Sequence, residues 1–297
     1  MEIRLVAVDL DGTLLKNDKS LSVKTVRSVA HAAACGLEIV IATGRTYREF
    51  SFLLDQLPAV RYAVTCTGAC VMDCRTQREL ACTPLDAGIL RSAWDLLRPF
   101  DVLFEVFQDG AIYVDADKLP RLDWYMEASR NPGLPGTRSG RAMFGQWLNS
   151  QTRPVSKVHM FFRTTAERNA AWDALRGMDA FLCCSDAVDL EIMAQGVDKG
   201  TGLAQLARYL GLERGQIMAV GDSGNDLGML QYAGVAAVMA NGGDALRSLA
   251  DVVAGSNEQD GVAGLLDDLT ENRLVLPLDK QPGESSLTAR PVAAGCE

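Results

Sequence analysis

Three apolar runs in this chain stop abruptly on polar clusters, and that pattern restricts the fold more than any other feature. Residues 3–8, Ile-Arg-Leu-Val-Ala-Val, end at Asp9-Leu10-Asp11-Gly12-Thr13. Residues 37–42 end at Thr43-Gly44-Arg45, and residues 217–220 end at Gly221-Asp222-Ser223-Gly224-Asn225-Asp226. Runs this short, rich in branched side chains and apolar at successive positions, read as parallel strands buried on both faces. Between the first two, Ser22 offers an N-cap, Val23, Val26, Val29 and Ala30 recur at helical spacing, and Gly36 ends the segment. A helix over about 47–57, stopped by Pro58, and a strand over about 62–66 continue the alternation. Strand, helix, strand, helix, strand predicts an α/β fold built on a doubly wound, Rossmann-like parallel sheet.

The rhythm changes after about residue 83. Helical segments over 86–97, 118–130 and 166–176 mix with strands over 102–107, 111–114 and 158–162 and a hairpin of 181–184 with 188–193. Asp109-Gly110 is a strong hairpin turn, and 131–140, rich in Pro and Gly, reads as a loop. These features predict an α+β unit inserted at 83–187 between two halves of the core, 1–82 and 188–272. The parallel rhythm returns with helices over 199–210, 227–232, 245–250 and 262–269 and a strand over 235–239. Residues 273–297 lack periodicity and read as a poorly ordered tail.

The balance of charge excludes several roles. A net charge of −9 gives no basic footprint for nucleic acid or an anionic membrane. No apolar run approaches the roughly 20 residues that span a bilayer. The start, MEIRLVAVDLDGT, carries acids inside its apolar stretch and reads as a core strand instead of an export signal, so a cytoplasmic protein is expected. Its cysteines, Cys35, Cys66 and Cys183 among them, sit mostly in apolar segments and read as reduced thiols. Cys66, Cys70 and Cys74 recur every four residues, but there is no Cys-x-x-Cys and the histidines are only His31 and His159, so metal binding by that trio is not expected. Neither Gly-x-Gly-x-x-Gly nor a P-loop occurs.

In an open α/β sheet, ligands bind beyond the carboxyl ends of the strands, so the three clusters should meet in one crevice. Asp9, Asp11, Asp222 and Asp226 would crowd there and repel unless a cation stands among them. An all-oxygen donor set favours magnesium, which keeps coordination positions for waters and a phosphate oxygen. Lys199 near a helix start, with the Thr43 hydroxyl and the backbone at Gly44, supplies positive character for a phosphate. A carboxylate such as Asp9 can form an aspartyl-phosphate, with Asp11 moving protons to the leaving group and from water. Each fragment alone has a commoner reading: Asp-x-Asp as a capped strand end, Lys199 as a solvated lysine. Their order and their shared place at strand ends distinguish them.

The sequence resembles the haloacid dehalogenase superfamily of phosphohydrolases, in its Cof-type sugar phosphatase branch with a large α/β cap. DLDGTLL at 9–15, IATGR at 41–45, Lys199 in GVDKGTG and GDSGNDLGML at 221–230 match its four motifs, and the likeness spans about 3–270. The resemblance implies that Asp9 is nucleophile and metal ligand, and that Asp11 is acid/base with a backbone carbonyl on Mg2+. It also implies that Asp222 is a ligand and that Asp226 supports the metal. Leu10 through its N–H, Thr43, Gly44, Lys199 and Asn225 would hold phosphate. The insert would be the cap. The expected activity is Mg2+-dependent hydrolysis of a small phosphorylated metabolite such as a sugar phosphate, by a monomer or homodimer. A phosphomutase and a non-catalytic metabolite-binding protein are the alternatives.

Overall fold

The computed structural model describes residues 2–129 and 136–274. Its strands are β1 (Leu5–Val8), β2 (Glu38–Ala42), β3 (Tyr62–Thr65), β4 (Cys70–Asp73), β5 (Arg78–Cys82), β6 (Leu103–Gln108), β7 (Ala111–Asp115), β8 (Arg138–Arg141), β9 (Lys157–Phe161), β10 (Ala180–Cys183), β11 (Asp189–Ala194), β12 (Ile217–Gly221), β13 (Val235–Met239) and β14 (Val252–Ala254). They form two sheets. The first runs β14-β13-β12-β1-β2-β3-β4-β5, and the second runs β10-β11-β9-β6-β7-β8.

Pairing in the first sheet is parallel from β14 to β3, with an antiparallel edge at β4 and β5. Successive residues leave opposite faces, because side chains alternate along a strand. Val6 and Val8 pack with Ile39, Ile41 and Val220, under helices Val23–Ala34 and Gly261–Thr270. Leu5 and Ala7 pack with Val40, Val64 and Ala219, under helix Lys199–Leu210. Both faces are covered, which is why these strands are apolar throughout. From β1 the chain steps outward through β2 to β3, and later from β12 to β14 on the other side. That reversal beside β1 opens a crevice at the strand ends.

The second sheet carries helices Ala87–Leu97 and Thr165–Leu175 on one face, over Phe104, Val106, Met160 and Ile192. Its other face packs Phe107, Phe161 and Met193 against Cys66, Ala69 and Cys70 of the first sheet's edge. At the β6–β7 turn, Asp109 and Gly110 both have positive φ, 53° and 70°, as a tight two-residue hairpin requires.

Several boundaries differ from the sequence expectation. Strand β11 hydrogen-bonds to β10 and β9, so the second sheet extends to Ala194 and the expected limit at 187/188 falls short by one strand. The helix expected over 47–57 is a short helix, Tyr47–Phe50, followed by a 3-10 turn, because Phe50 at φ −130° interrupts it. The segment expected to be helical over 118–130 is a 3-10 turn, Ala116–Arg121, then helix Leu122–Met126, with Pro120 limiting the regular part. In the expected loop, Arg138–Arg141 pairs in parallel with β7, while 131–135 lies outside the described residues. The expected tail also lies outside them, apart from Arg273 and Leu274.

Candidate active site

The three polar clusters meet as the sheet rule requires. Asp9 follows β1, and its N–H donates to the Val220 carbonyl of β12 at 3.0 Å, which fixes it beside the Asp222 loop. One carboxylate oxygen from each of Asp9, Asp222 and Asp226 falls within 4.8 Å of the others. Gly12 makes this approach possible: at φ +83° a side chain is strained, and a Cβ there would stand 2.4 Å from Asp222 Oδ2.

Lys199 is the first residue of its helix and is fully buried. Its Nζ donates to Asp9 Oδ1 and Asp226 Oδ1, both at 2.6 Å. The helix comes close enough because Gly200 packs on helix Leu227–Tyr232, which follows Asp226; a Cβ there would meet the Gly228 carbonyl oxygen at 2.3 Å. Asp226 uses its second oxygen to accept from the N–H groups of Asp222 and Ser223, both at 2.9 Å. It therefore organises the loop that carries Asp222. Thr13 donates its hydroxyl to Asp222 Oδ1 at 2.8 Å.

One cation among three carboxylates, two of them buried, is too few. Burial pushes Asp9 well above the usual carboxylate range, with Asp226 and Asp222 adding to it against the pull of Lys199. Burial, then Asp226, pushes Asp222 up to about 7. Burial opposes the charge on Lys199, but Asp226 and Asp9 hold its proton more tightly than usual. A second positive charge against Asp9 and Asp222 would relieve this strain, and the donors are oxygen alone, so the residues fit a hard divalent ion.

Asp11 is placed differently. Its carboxylate lies outside that cluster and accepts two hydrogen bonds from Arg45, Nε at 2.8 Å and Nη2 at 2.7 Å, and one from Lys19 Nζ at 2.9 Å. Burial works against its charge, but Arg45 and Lys19 outweigh that and lower its pKa. Of the expected phosphate-holding residues, Thr43, Gly44 and Asn225 line the cleft above Asp9. Leu10 is fully buried between Asp9 and Asp11.

The second sheet closes the cleft from above with Phe107, Arg138, Lys157, His159, Phe161 and Glu191. Lys157 Nζ donates to Glu191 Oε1 at 2.7 Å, and both are buried. Thr67 joins this pair from the first sheet, its hydroxyl 2.5 Å from Glu191 Oε2. Glu105 accepts from Arg138 Nε at 2.8 Å, and His159 Nε2 lies 3.0 Å from Asp189 Oδ2. Sequence reasoning named none of these for the site, yet a signal was present. In β9 and β11 the polar residues alternate with apolar ones, Lys157, His159 and Asp189, Glu191, so one face of two paired strands is charged.

Among the described residues, no helix is long and apolar enough to cross a membrane. The family model for haloacid dehalogenase-like hydrolases matches residues 6–266. The chain is 30% identical over 277 residues to the 5-amino-6-(5-phospho-D-ribitylamino)uracil phosphatase YitU of Bacillus subtilis, covering 88% of this chain and 96% of that one. It is 27% identical to the pyridoxal phosphate phosphatase YbhA of Escherichia coli, covering 89% and 97%. A solved haloacid dehalogenase-like hydrolase from B. subtilis superposes with a TM-score of 0.79 at 25% identity, covering 89% of this chain and 99% of that one. Motifs, crevice and relatives agree: the chain belongs to the haloacid dehalogenase-like hydrolases.

Proposed function

We propose that this protein is a Mg2+-dependent phosphomonoesterase that works through an aspartyl-phosphate on Asp9. The observation that carries the reading is the buried contact of Lys199 with Asp9 and Asp226, at 2.6 Å each, inside a carboxylate group that needs one more cation. Asp9, Asp222 and the backbone carbonyl of Asp11 would hold the ion, with Asp226 orienting Asp222. Bound there, Mg2+ supplies charge neutralisation for the phosphoryl group.

The residues then divide the work. An Asp9 carboxylate oxygen attacks phosphorus, and the bond from phosphorus to the ester oxygen breaks. Asp11 gives the departing alkoxide its proton, then takes one from the water that cleaves the acyl-phosphate and releases inorganic phosphate. In the present arrangement Asp11 is an ion-paired base, so its acid role requires Arg45 and Lys19 to yield as substrate enters. Lys199 stabilises charge on the transferring group. Thr43, Gly44, Asn225 and the Leu10 N–H would seat the phosphate oxygens.

The substrate class is small phosphorylated metabolites, sugar phosphates foremost. The site a Cβ would occupy on Gly44 is 3.5 Å from both Lys157 Nζ and Glu191 Oε1, so a leaving group above the phosphate meets the polar face of the second sheet. The activities named for YitU and YbhA add phosphorylated ribitylaminouracil and pyridoxal phosphate to the compounds to test. A cytoplasmic setting fits the free thiols of Cys35, Cys66 and Cys183, but Cys184 is disulfide-bonded, which corrects the expectation of reduced cysteines at that position.

The test is a phosphate-release screen with Mg2+, using Asp9→Asn as the blank. Wild-type protein should release phosphate, lose that activity in EDTA and regain it with Mg2+. Asp9→Asn should be inactive with an unchanged circular-dichroism spectrum. Turnover by that variant near the wild-type rate would sink the covalent route.

A further inference from the structure

Of the cysteines that recur every four residues, the fold sets Cys70 against Cys82, which lies outside that repeat. In the β4–β5 hairpin Cys70 stands opposite Cys82, and their sulfurs are 3.2 Å apart. A regular strand would send Glu79, three residues before Cys82, to the other face. The register shifts between Val71 and Met72, however. Val71 faces Ala81 and Met72 faces Glu79, which leaves Leu80 as an extra residue. Such a bulge re-aims the side chains beyond it. Here it turns Glu79 onto the thiol face, where one carboxylate oxygen and both sulfurs fall within 4.8 Å of one another. Cys70 is buried, Cys82 is half-buried and Glu79 is exposed, so the group opens to solvent on one side.

We propose that Cys70, Cys82 and Glu79 form a zinc-binding site distinct from the oxygen-lined cluster at Asp9. Two sulfurs and a carboxylate suit Zn2+, which binds thiolates tightly, whereas Mg2+ takes oxygen donors. Three protein ligands with solvent at the fourth corner complete a tetrahedral set. Binding exchanges two thiol protons for the ion, with no change of oxidation state. The location gives the site a consequence. Strand β5 ends at Cys82, and the chain then passes by way of Thr83, whose N–H donates to the Ala69 carbonyl at 2.8 Å, toward the second sheet. Cys70 Sγ also lies 3.3 Å from the hydroxyl of Ser156, the residue just before β9. An ion here fastens the base of the second sheet to the edge of the first. The proposal does not depend on the phosphatase reading.

The experiment titrates the full-length, fully reduced protein with Co2+ as the spectroscopic stand-in for zinc. Thiolate ligation gives a near-ultraviolet sulfur-to-cobalt charge-transfer band that an all-oxygen site cannot produce. One equivalent of Zn2+ should displace it. Cys70→Ser and Cys82→Ser should each abolish the band, with Cys82→Ser serving as the milder change because that side chain is half-buried. Glu79→Gln should keep a band but weaken cobalt binding by about tenfold or more. Asp9→Asn and Cys35→Ser should leave it unchanged. Absence of the band in the wild type, its survival in Cys82→Ser, or its loss in Asp9→Asn would overturn the proposal. So would isolation of the protein with a peptide joining Cys70 to Cys82 that is two hydrogens lighter even when zinc is supplied, since that identifies a disulfide pair.

Discussion

Thr67 is the residue whose backbone is hardest to explain by local preference. It sits at φ 57° between Cys66 at φ 51° and Gly68 at φ 100°. A β-branched side chain in the left-handed region is rare and costs roughly 1–2 kcal/mol. What holds it is tertiary. Its N–H donates to the Thr43 carbonyl at 3.1 Å, its hydroxyl reaches Glu191, and Lys157 Nζ approaches that hydroxyl at 3.2 Å. Thr67→Val keeps the branched shape and the strain but removes the hydroxyl from a buried carboxylate. It should cost about 1–3 kcal/mol in urea unfolding. Thr67→Asn, which tolerates a positive φ, should cost less. Equal midpoints for Thr67→Val and wild type would show that the hydroxyl contributes nothing. Gly12→Ala sets the same logic at the other cluster. Its Cβ would overlap Asp222, so phosphate release should fall even where melting shows the protein folded.

At the scale of elements, the pieces gathered around Asp9 were legible because each ends a strand or begins a helix. The position of Asp9 follows from β1 stopping at Val8, and Lys199 follows from a helix start next to Asp198, whose carboxylate accepts from Thr201 N–H. Burial of Lys199 was not legible; it read as a surface lysine when taken alone. It depends on the close packing at Gly200 and on Asp226 coming from a loop 27 residues away. Lys199→Ala would leave Asp9 and Asp226 without their shared cation. Breaking a buried pair this way costs about 3–5 kcal/mol, so the variant should lose both activity and a corresponding share of its unfolding free energy. A variant that loses activity with an unchanged denaturation midpoint would mean the pair is worth little to folding. The charged face of β9 and β11 is an intermediate case. The alternation was written in the sequence, but which face it lay on required the register Glu191 opposite His159.

At the scale of the whole molecule, the cleft exists because the second sheet lays its uncovered face over the strand ends of the first. Glu191 is the charge at that junction. Lys157, His159, Thr67 and the Cys183 thiol face it. Burial works against its ionised form, but Lys157, His159 and Thr67 outweigh this and bring its carboxyl down from 4.5 to about 2. A depressed acid stabilises the fold above its unfolded value, and that contribution fades as pH falls through its folded value. The folded protein should therefore lose stability between about pH 4.5 and 2 on account of Glu191. Glu191→Gln should be less stable at neutral pH and flatter in that window, as followed by thermal melting at successive pH values. Parallel profiles for variant and wild type would remove Glu191 from the account.

The sequence by itself determined that strands end in polar clusters, that those ends share one edge of a doubly wound sheet, and that four acids and a lysine gather there. These follow from periodicity and from the chirality of the chain, which act locally and leave marks in residue order. Only the tertiary structure decided that Asp11 turns to Arg45 and Lys19, that Lys157 and Glu191 close the cleft, and that Cys82, outside the four-residue repeat, meets Cys70. Those contacts join residues remote in sequence or depend on strand register. A one-residue bulge changes which face a side chain takes, and no local preference records it.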